Sequence, residues 1–111
     1  MDKDEKIVDA LSKVVNRQEA KVLVYLKRHK SATGIDIERE MGMRQPEVSI
    51  ATGGLLDKKL IVASEEKRPG ARGRPKIRYS MDERKVREFL SSMIDSKKDD
   101  IGAIEDAIGK F

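Results

Sequence analysis

Residues 35–49 have the sequence IDIEREMGMRQPEVS, and this stretch decides the fold. Its first half carries apolar residues at helical spacing and stops at Gly42, which fits the left-handed position after a helix. Its second half contains Pro46 and Glu47, which both suit the first turn of a helix. The stretch therefore predicts a short helix of about eight residues, a tight turn and a second helix from about Gln45 to Lys59.

Two amphipathic helices are predicted before this stretch. Residues 4–15 and residues 17–30 each carry apolar side chains at a spacing of three to four, and Asn16 either ends the first helix or caps the second. The second helix ends in a cationic run, residues 27–30, as suits the negative end of a helix dipole. Residues 31–34 predict a loop with a hydroxyl placed to cap the next helix.

A β-hairpin and more helix are predicted after it. Residues 60–64 are apolar and β-branched, and residues 76–81 alternate polar and apolar side chains, so each predicts a strand. Residues 82–111 predict either one long helix or two helices that break between Ser96 and Asp100. The expected fold class is mainly α with a small β-hairpin, an α+β fold.

The excess positive charge lies in the hairpin. The 111-residue chain carries a net charge of +4. Residues 67–81 hold six basic and no acidic side chains, whereas residues 1–66 are neutral overall and residues 82–111 carry a net charge of −2. Concentrated charge of one sign on a loop shaped by proline and glycine attracts polyanions.

Composition argues against several other classes of protein. The chain has no cysteine, so disulfides and thiolate metal sites are excluded, and its single histidine, His29, lies in a basic helix end. The carboxylates mostly have Lys or Arg within one turn, which indicates solvated ion pairs. We therefore expect no enzyme activity, no metal and no cofactor. The charged N-terminus and the lack of a long apolar run predict neither a signal peptide nor a membrane span, which makes the cytoplasm the expected location.

This order of elements resembles the winged helix-turn-helix transcription regulators of the MarR/ArsR type, especially small archaeal ones. The resemblance covers roughly residues 17–81 and is carried by residues 35–49, by residues 55–61 and by Gly73-Arg74-Pro75 followed by Tyr79. It implies a DNA-binding domain over residues 1–81, with a wing at 61–81, and a helical dimerisation segment over residues 82–111.

Two features of the second motif helix depart from the family pattern. Thr52 stands where the family often has leucine, which thins the core there. Gly53 and Gly54 lie in the middle of the helix, where each glycine costs roughly 1 kcal/mol relative to alanine. We interpret them as allowing close approach to phosphate or to another helix, or as a locally weak helix.

The helical phase of residues 45–59 separates a core side from a DNA side. Val48, Ala51, Thr52 and Leu55 fall on the core side. Because the N-terminal part of this helix enters the major groove in such motifs, we expect contacts from the other side. Gln45 suits adenine, Glu47 a cytosine amine, Ile50 a thymine methyl, and Arg44 guanine or phosphate. The alternative is that Glu47 only favours the helix start and Ile50 packs on a neighbour. The predicted contact set is Arg44, Gln45, Pro46, Glu47, Ser49, Ile50 and Gly53, with Gly54 on the same side.

The tip of the wing carries the tetrapeptide Arg72-Gly73-Arg74-Pro75, the core of an AT-hook. Glycine lets the backbone lie flat in a minor groove, the two arginines project along it, and proline keeps the chain extended. We expect Arg72 and Arg74 to enter the minor groove, whereas the alternative is a hairpin with hydrated arginines. Salt-dependent phosphate contacts are expected from Lys67, Arg68, Lys76 and Arg78.

The last segment carries an apolar stripe that we expect to pair with a second subunit. Its residues are Val86, Phe89, Leu90, Met93, Ile101, Ile104, Ile108 and Phe111, reinforced by Ile94 and interrupted by Lys97. The first helix, through Ile7, Leu11 and Val14, is a candidate to join. The alternative is packing onto the chain's own core. A two-fold dimer would present two helices to half-sites one DNA turn apart, hence a palindromic operator.

The sequence thus predicts a homodimeric, sequence-specific regulator, a repressor by resemblance, with double-stranded DNA and itself as partners. Two other classes stay open. One is an architectural, nucleoid-associated protein with A·T or shape preference. The other is a winged helix used for protein contacts in the transcription machinery. A small-molecule effector at the dimer interface has no pocket signature in the sequence.

Overall fold

The computed structural model describes residues 3–66 and 76–111. Within them, the chain forms five helices and a small three-stranded antiparallel sheet. The elements in chain order are α1 (Lys3–Leu11), α2 (Arg17–His29), β1 (Ser31–Thr33), α3 (Gly34–Met41), α4 (Gln45–Asp57), β2 (Ile61–Glu66), β3 (Lys76–Met81) and α5 (Glu83–Gly109). The mainly α architecture with a β-hairpin is therefore confirmed.

Local capping fixes where α2 and α3 begin and where α3 ends. The side chain of Asn16 accepts a hydrogen bond from the Glu19 N–H at 2.8 Å, and the Glu19 carboxylate accepts one from the Asn16 N–H at 3.2 Å. Thr33 and Asp36 form the same reciprocal pair at the start of α3. Gly42 ends α3 with φ +61°, the left-handed conformation expected of it. Capping boxes of this kind satisfy backbone donors that a helix start leaves free.

The capping carboxylate of α3 predicts an acid-dependent loss of stability. The hydrogen bond from the Thr33 backbone, followed by that with the Thr33 side chain, lowers the pKa of Asp36 below its usual value. A group whose folded-state pKa is depressed stabilises the fold above its unfolded-state pKa and loses that contribution as the pH falls through the folded-state value. We expect Asp36→Asn to lower the free energy of unfolding at pH 7, and the difference from wild type to shrink below the normal aspartate range. Urea unfolding at pH 7, 5 and 3 checks this; a difference that does not change with pH contradicts it.

The hairpin belongs to a three-stranded sheet with the order β1-β3-β2. β3 pairs antiparallel with both neighbours, so that Tyr79 lies opposite Ala63 on one side and Ala32 on the other. The prediction of a loop at residues 31–34 was therefore wrong for Ser31–Thr33. Those three residues have no strand-like apolar pattern of their own, and only Ala32 is buried. Pairing with β3 makes them a strand.

Two predicted helix ends also change, and the choice left open for residues 82–111 is resolved. α1 stops at Leu11 rather than continuing to residue 15, and residues 12–15 form turns that still bury Val15. α4 ends at Asp57, because Lys59 adopts φ +62° and the Leu60 N–H bonds back to the Leu55 carbonyl at 3.0 Å. α5 is one continuous helix through residues 96–100, which settles the choice between one helix and two.

The core lies between α2, α3, α4 and the sheet. Its most buried large side chains are Leu26, Ile37, Leu55, Leu60, Ile61 and Val22. A smaller cluster joins α1 to α2 through Val8, Val15, Ala20 and Val24. Among the described residues, no helix is long and apolar enough to cross a membrane. The same residues contain no group of three potential metal ligands.

Candidate nucleic-acid interface

The second helix of the 35–49 motif, α4, has one buried and one exposed face. Val48, Ala51, Thr52 and Leu55 are buried, as their phase predicts. Thr52 is accommodated in the core because its hydroxyl donates to the Val48 carbonyl at 2.8 Å, so the position is polar but satisfied.

The opposite face of the first turns of α4 is open to solvent. Arg44, Gln45, Pro46, Ser49 and Ile50 are all exposed. Ile50 is the large hydrophobic residue among them, with 73% of its surface exposed. The alternative, in which Ile50 packs against a neighbour in the same chain, is therefore wrong.

Glu47, expected to read a base, has structural partners for both carboxylate oxygens. Oε1 accepts a hydrogen bond from the Arg44 N–H at 2.9 Å, and Oε2 accepts one from the Gln18 side-chain amide at 2.7 Å. This matches the alternative given for Glu47, in which it stabilises the helix start. The bond from Gln18 also ties the start of α4 to α2.

Glu19 and Lys58 hold the other end of α4 against α2. The Glu19 carboxylate is buried, with 3% of the residue exposed, and Lys58 Nζ lies 2.9 Å from its Oε2. The expectation that the carboxylates form solvated ion pairs was wrong for Glu19. Packing buries it, and the Lys58 ammonium and the Asn16 N–H both donate hydrogen bonds to its carboxylate.

The two glycines of α4 have different surroundings. Gly54 was placed on the DNA side, but it faces α2, and a Cβ atom there would overlap the Glu19 carboxylate. Close approach to another helix is therefore the reason for this glycine. A Cβ at Gly53 would meet no atom within 4 Å, which leaves Gly53 on an open surface.

This difference predicts opposite effects for two adjacent substitutions. Gly53→Ala should stabilise the protein by about 0.5–1 kcal/mol, because alanine fits the open site and favours helix. Gly54→Ala should destabilise it by about 1–3 kcal/mol, since the new methyl group displaces a buried carboxylate that is held by two partners. Chemical denaturation of both variants at neutral pH checks the pair. Equal stabilisation by both would show that Glu19 does not constrain this position.

The wing strands bring part of the basic segment beside α4. Lys76 is exposed at the start of β3. Arg78 instead contacts its own chain: one guanidinium nitrogen donates to the Ser31 hydroxyl at 3.3 Å, and another lies 3.7 Å from Glu66. The predicted phosphate contact of Arg78 thus competes with these partners. Five predicted wing residues lie outside the described part of the chain: Lys67, Arg68, Arg72, Gly73 and Arg74.

A groove of about 470 Å³ lies between α4 and the wing strand. Its walls include Gln45 and Ser49 from α4, Lys76, Ile77 and Tyr79 from β3, and residues of α3, among them the acidic Glu38. Two of the predicted contact residues of α4, Gln45 and Ser49, therefore open onto the same concave surface as Lys76.

The apolar stripe of α5 divides into two parts. Val86 and Phe89 pack against the chain's own core, so the intramolecular alternative holds for them. Leu90 lines a second groove, of about 450 Å³, together with Ile7, Leu11 and other residues of α1 and α2. The C-terminal part is uncovered, with Ile101, Ile104, Ile108 and Phe111 between 54% and 108% exposed.

Solved structures share this arrangement. A protein of Methanosarcina mazei Go1, described as a possible transcriptional regulator, superposes with a TM-score of 0.67 at 13% sequence identity, over 91% of this chain and 84% of its own. This chain has the winged-helix fold. The winged-helix similarity extends to the YusO protein from Bacillus subtilis, with a TM-score of 0.58, 22% identity and coverage of 86% of this chain and 70% of that protein.

A third winged-helix relative in structure is the adhesin competence repressor of Streptococcus pyogenes. Its TM-score is 0.53 at 18% identity, over 99% of this chain and 84% of its own. No protein-family model and no curated protein matches the sequence. The similarity therefore confirms the winged-helix fold expected from the resemblance over residues 17–81.

Sequence reasoning missed the side chains that hold α4 in place. Gln18, Glu19 and Lys58 are spaced along α2 and α4 like ordinary surface residues, and their pairing depends on how the two helices cross. The only signal in the sequence was Gly54, since a glycine inside a helix marks a close approach.

Proposed function

We propose that the protein is a DNA-binding transcription regulator in which α4 enters the major groove and the wing follows the adjacent minor groove. The observation that carries this proposal is that the first half of α4 is exposed and lines the same groove as the wing strand β3. The opposite face of α4 is buried in the core. A recognition helix must present polar side chains from a rigid element, and α4 does so.

Within the helix, we assign the base contacts to the exposed side chains alone. Gln45 suits a bidentate pair with adenine, Arg44 suits guanine or a phosphate, and Ile50 suits a thymine methyl. Ser49 lies on the same exposed face, one turn from Gln45. Glu47 is left out of this set, because both of its oxygens are already hydrogen-bonded within the protein.

In the wing, Lys76 is the described residue best placed for a phosphate contact. The proposal extends to Arg72 and Arg74 at the tip, on the strength of the Arg-Gly-Arg-Pro sequence. Arginine inserted into a narrow A·T-rich minor groove meets a strongly negative potential. The wing would thus contribute affinity and A·T preference, while α4 contributes base readout.

The assembly we infer is a homodimer on a palindromic site, with residues 1–81 binding DNA and residues 82–111 joining the subunits. The uncovered stripe of α5 supports it, since an exposed apolar surface of this kind marks an interface. Two copies of α4 would address half-sites about 34–36 Å apart. Repression by occlusion of a promoter, in the nucleoid, is the mode we assign.

Selection of bound duplexes from a random pool tests the proposal. We expect enrichment of a palindrome that binds at least about 1,000-fold more tightly than random DNA at the same salt concentration. Gln45→Ala should lose about 1–3 kcal/mol of discrimination at one position of each half-site. Lys21→Ala, on α2, serves as the control and should leave the ratio unchanged. No enrichment, together with weak binding to every duplex, would exclude a DNA-binding role.

An architectural DNA-binding protein is the second candidate. It is favoured by the Arg-Gly-Arg-Pro tetrapeptide and by Gly53, which puts no side chain on the open side of α4. Such a protein would bind A·T-rich duplexes tightly with little further preference. A ratio near one between the best selected duplex and random A·T-rich DNA would favour it over the regulator.

A further inference from the structure

The exposed apolar side chains of α5 form one continuous stripe. At about 100° per residue, Ile94, Ile101, Ile104 and Ile108 fall within an arc of roughly 80°, and the exposed Phe111 follows two residues after the end of α5. Each of them is more than half exposed. Lys97 falls at the centre of the same arc. A two-turn apolar patch is common on a surface, but a stripe over about four turns of one helix indicates an interface.

The stripe runs into the groove between α1, α2 and the first turns of α5. Val86 and Leu90 have the same helical phase as the stripe and line that groove. The other apolar walls are Ile7, Leu11, Leu23, Val24 and Met81. A helix laid along the stripe would therefore extend over the groove, so one occupant can cover both.

Charge along α5 indicates which way that occupant runs. Residues 83–98 carry five basic and three acidic side chains, whereas residues 99–111 carry one basic and four acidic ones. Two copies of α5 packed side by side in the same direction would place like charges together. Packed in opposite directions, they would place each basic half beside an acidic half.

Lys97 and Asp100 set the register. If two antiparallel copies of α5 cross at residue 99, Lys97 of one lies opposite residue 101 of the other and beside the partner's Asp100. The same register places Leu90 opposite the partner's Ile108, and the last residues of the partner's chain near Val86. A charged residue inside an apolar seam is tolerated when it finds such a partner, and it then specifies the alignment.

We propose that two copies of α5 pair antiparallel about residue 99, so that the C-terminal end of each helix covers the other subunit's α1–α2–α5 groove. The inference rests on the homodimer proposed above and adds its direction, its register and the occupant of the groove. Each winged-helix unit would then contact the C-terminal end of the partner's α5 in addition to its own α5.

Because the chain has no cysteine, single-cysteine variants test this arrangement directly. Leu90→Cys and Ile108→Cys are purified separately, mixed, allowed to exchange subunits and treated with a short bis-maleimide. In the proposed register the two different thiols are neighbours, while identical thiols lie about 27 Å apart along the helices. We expect covalent dimers in the mixture and none from either variant alone.

Each of the other outcomes would overturn either the antiparallel pairing alone or the homodimer as well. Covalent dimers from Ile108→Cys alone would show parallel helices, and a dimer that crosslinks in no sample would show an interface elsewhere. Either result overturns the antiparallel pairing and leaves the proposed homodimer standing. A monomer by sedimentation equilibrium would overturn both, and DNA binding is measured separately.

Charge reversal tests the register independently. Lys97→Asp and Asp100→Lys should each raise the dimer dissociation constant about tenfold or more, since each places like charges together in both symmetric contacts. The double variant Lys97→Asp/Asp100→Lys should recover most of the loss. Additive losses in the double variant would show that the two side chains do not meet.

Discussion

The variant Arg72→Ala/Arg74→Ala is expected to bind DNA about 10- to 100-fold more weakly than wild type at physiological salt. Each arginine in the minor groove displaces condensed cations from the duplex, so removing two should also reduce the slope of log affinity against log salt by about 2. The preference for A·T-rich flanks should fall with them. Fluorescence anisotropy over a range of salt concentrations measures all three effects.

The matched control removes the same charge elsewhere. Arg84→Ala/Lys110→Ala removes one cation from α5 and one from the residue that caps it, both outside the apolar stripe. The ion pair that Arg84 makes with Glu88 is exposed, so its loss should cost little. We expect affinity and salt slope close to those of wild type. If both double variants weaken binding equally, the affinity depends on the net positive charge of the protein and not on the position of the wing arginines.

The second large effect is expected from Ile104→Glu, which should dissociate the dimer. The substitution puts an unpaired carboxylate in the middle of the α5 stripe of both subunits, and we expect the dimer dissociation constant to rise about 100-fold or more. Operator affinity should fall by about 100-fold or more as well, because two linked half-site contacts become independent. The fold should survive, since 60% of Ile104 is exposed in the single chain.

Ala103→Glu is the neighbouring control. It adds the same charge to the same turn of α5 but outside the arc of the stripe, so molecular mass and operator affinity should stay at wild-type values. Sedimentation equilibrium and anisotropy are run on both variants. A dimer that persists in Ile104→Glu would place the subunit contact on another surface.

The elements could be predicted from local sequence because each carries its own signal. Gly42 ends α3 and Asn16 caps α2 through contacts within a few residues, and the buried face of α4 follows from the helical period. β1 could not be predicted in this way. Its three residues become a strand only through pairing with β3, which lies more than 40 residues further along the chain.

The candidate interface was predictable in part for the same reason. Exposure of Gln45, Ser49 and Ile50 follows from the period of α4, whereas the partners of Glu47 and Gly54 depend on how α2 crosses α4. The helical phase alone predicted that Gly54 lies on the DNA side of α4, whereas in the structure Gly54 faces Glu19 of α2. Likewise, the stripe on α5 was visible in the sequence, but its division between core and open surface was not.

The most direct measurement places a DNA-cleaving group on α4. Ser49→Cys provides the single thiol of the chain, which is coupled to an iron–EDTA reagent and bound to the selected operator. We predict cuts in each half-site, in two clusters one DNA turn apart, and no cuts from the same reagent on Ala103→Cys. Cleavage from Ala103→Cys with none from Ser49→Cys would contradict the claim that α4 and the wing hold the duplex.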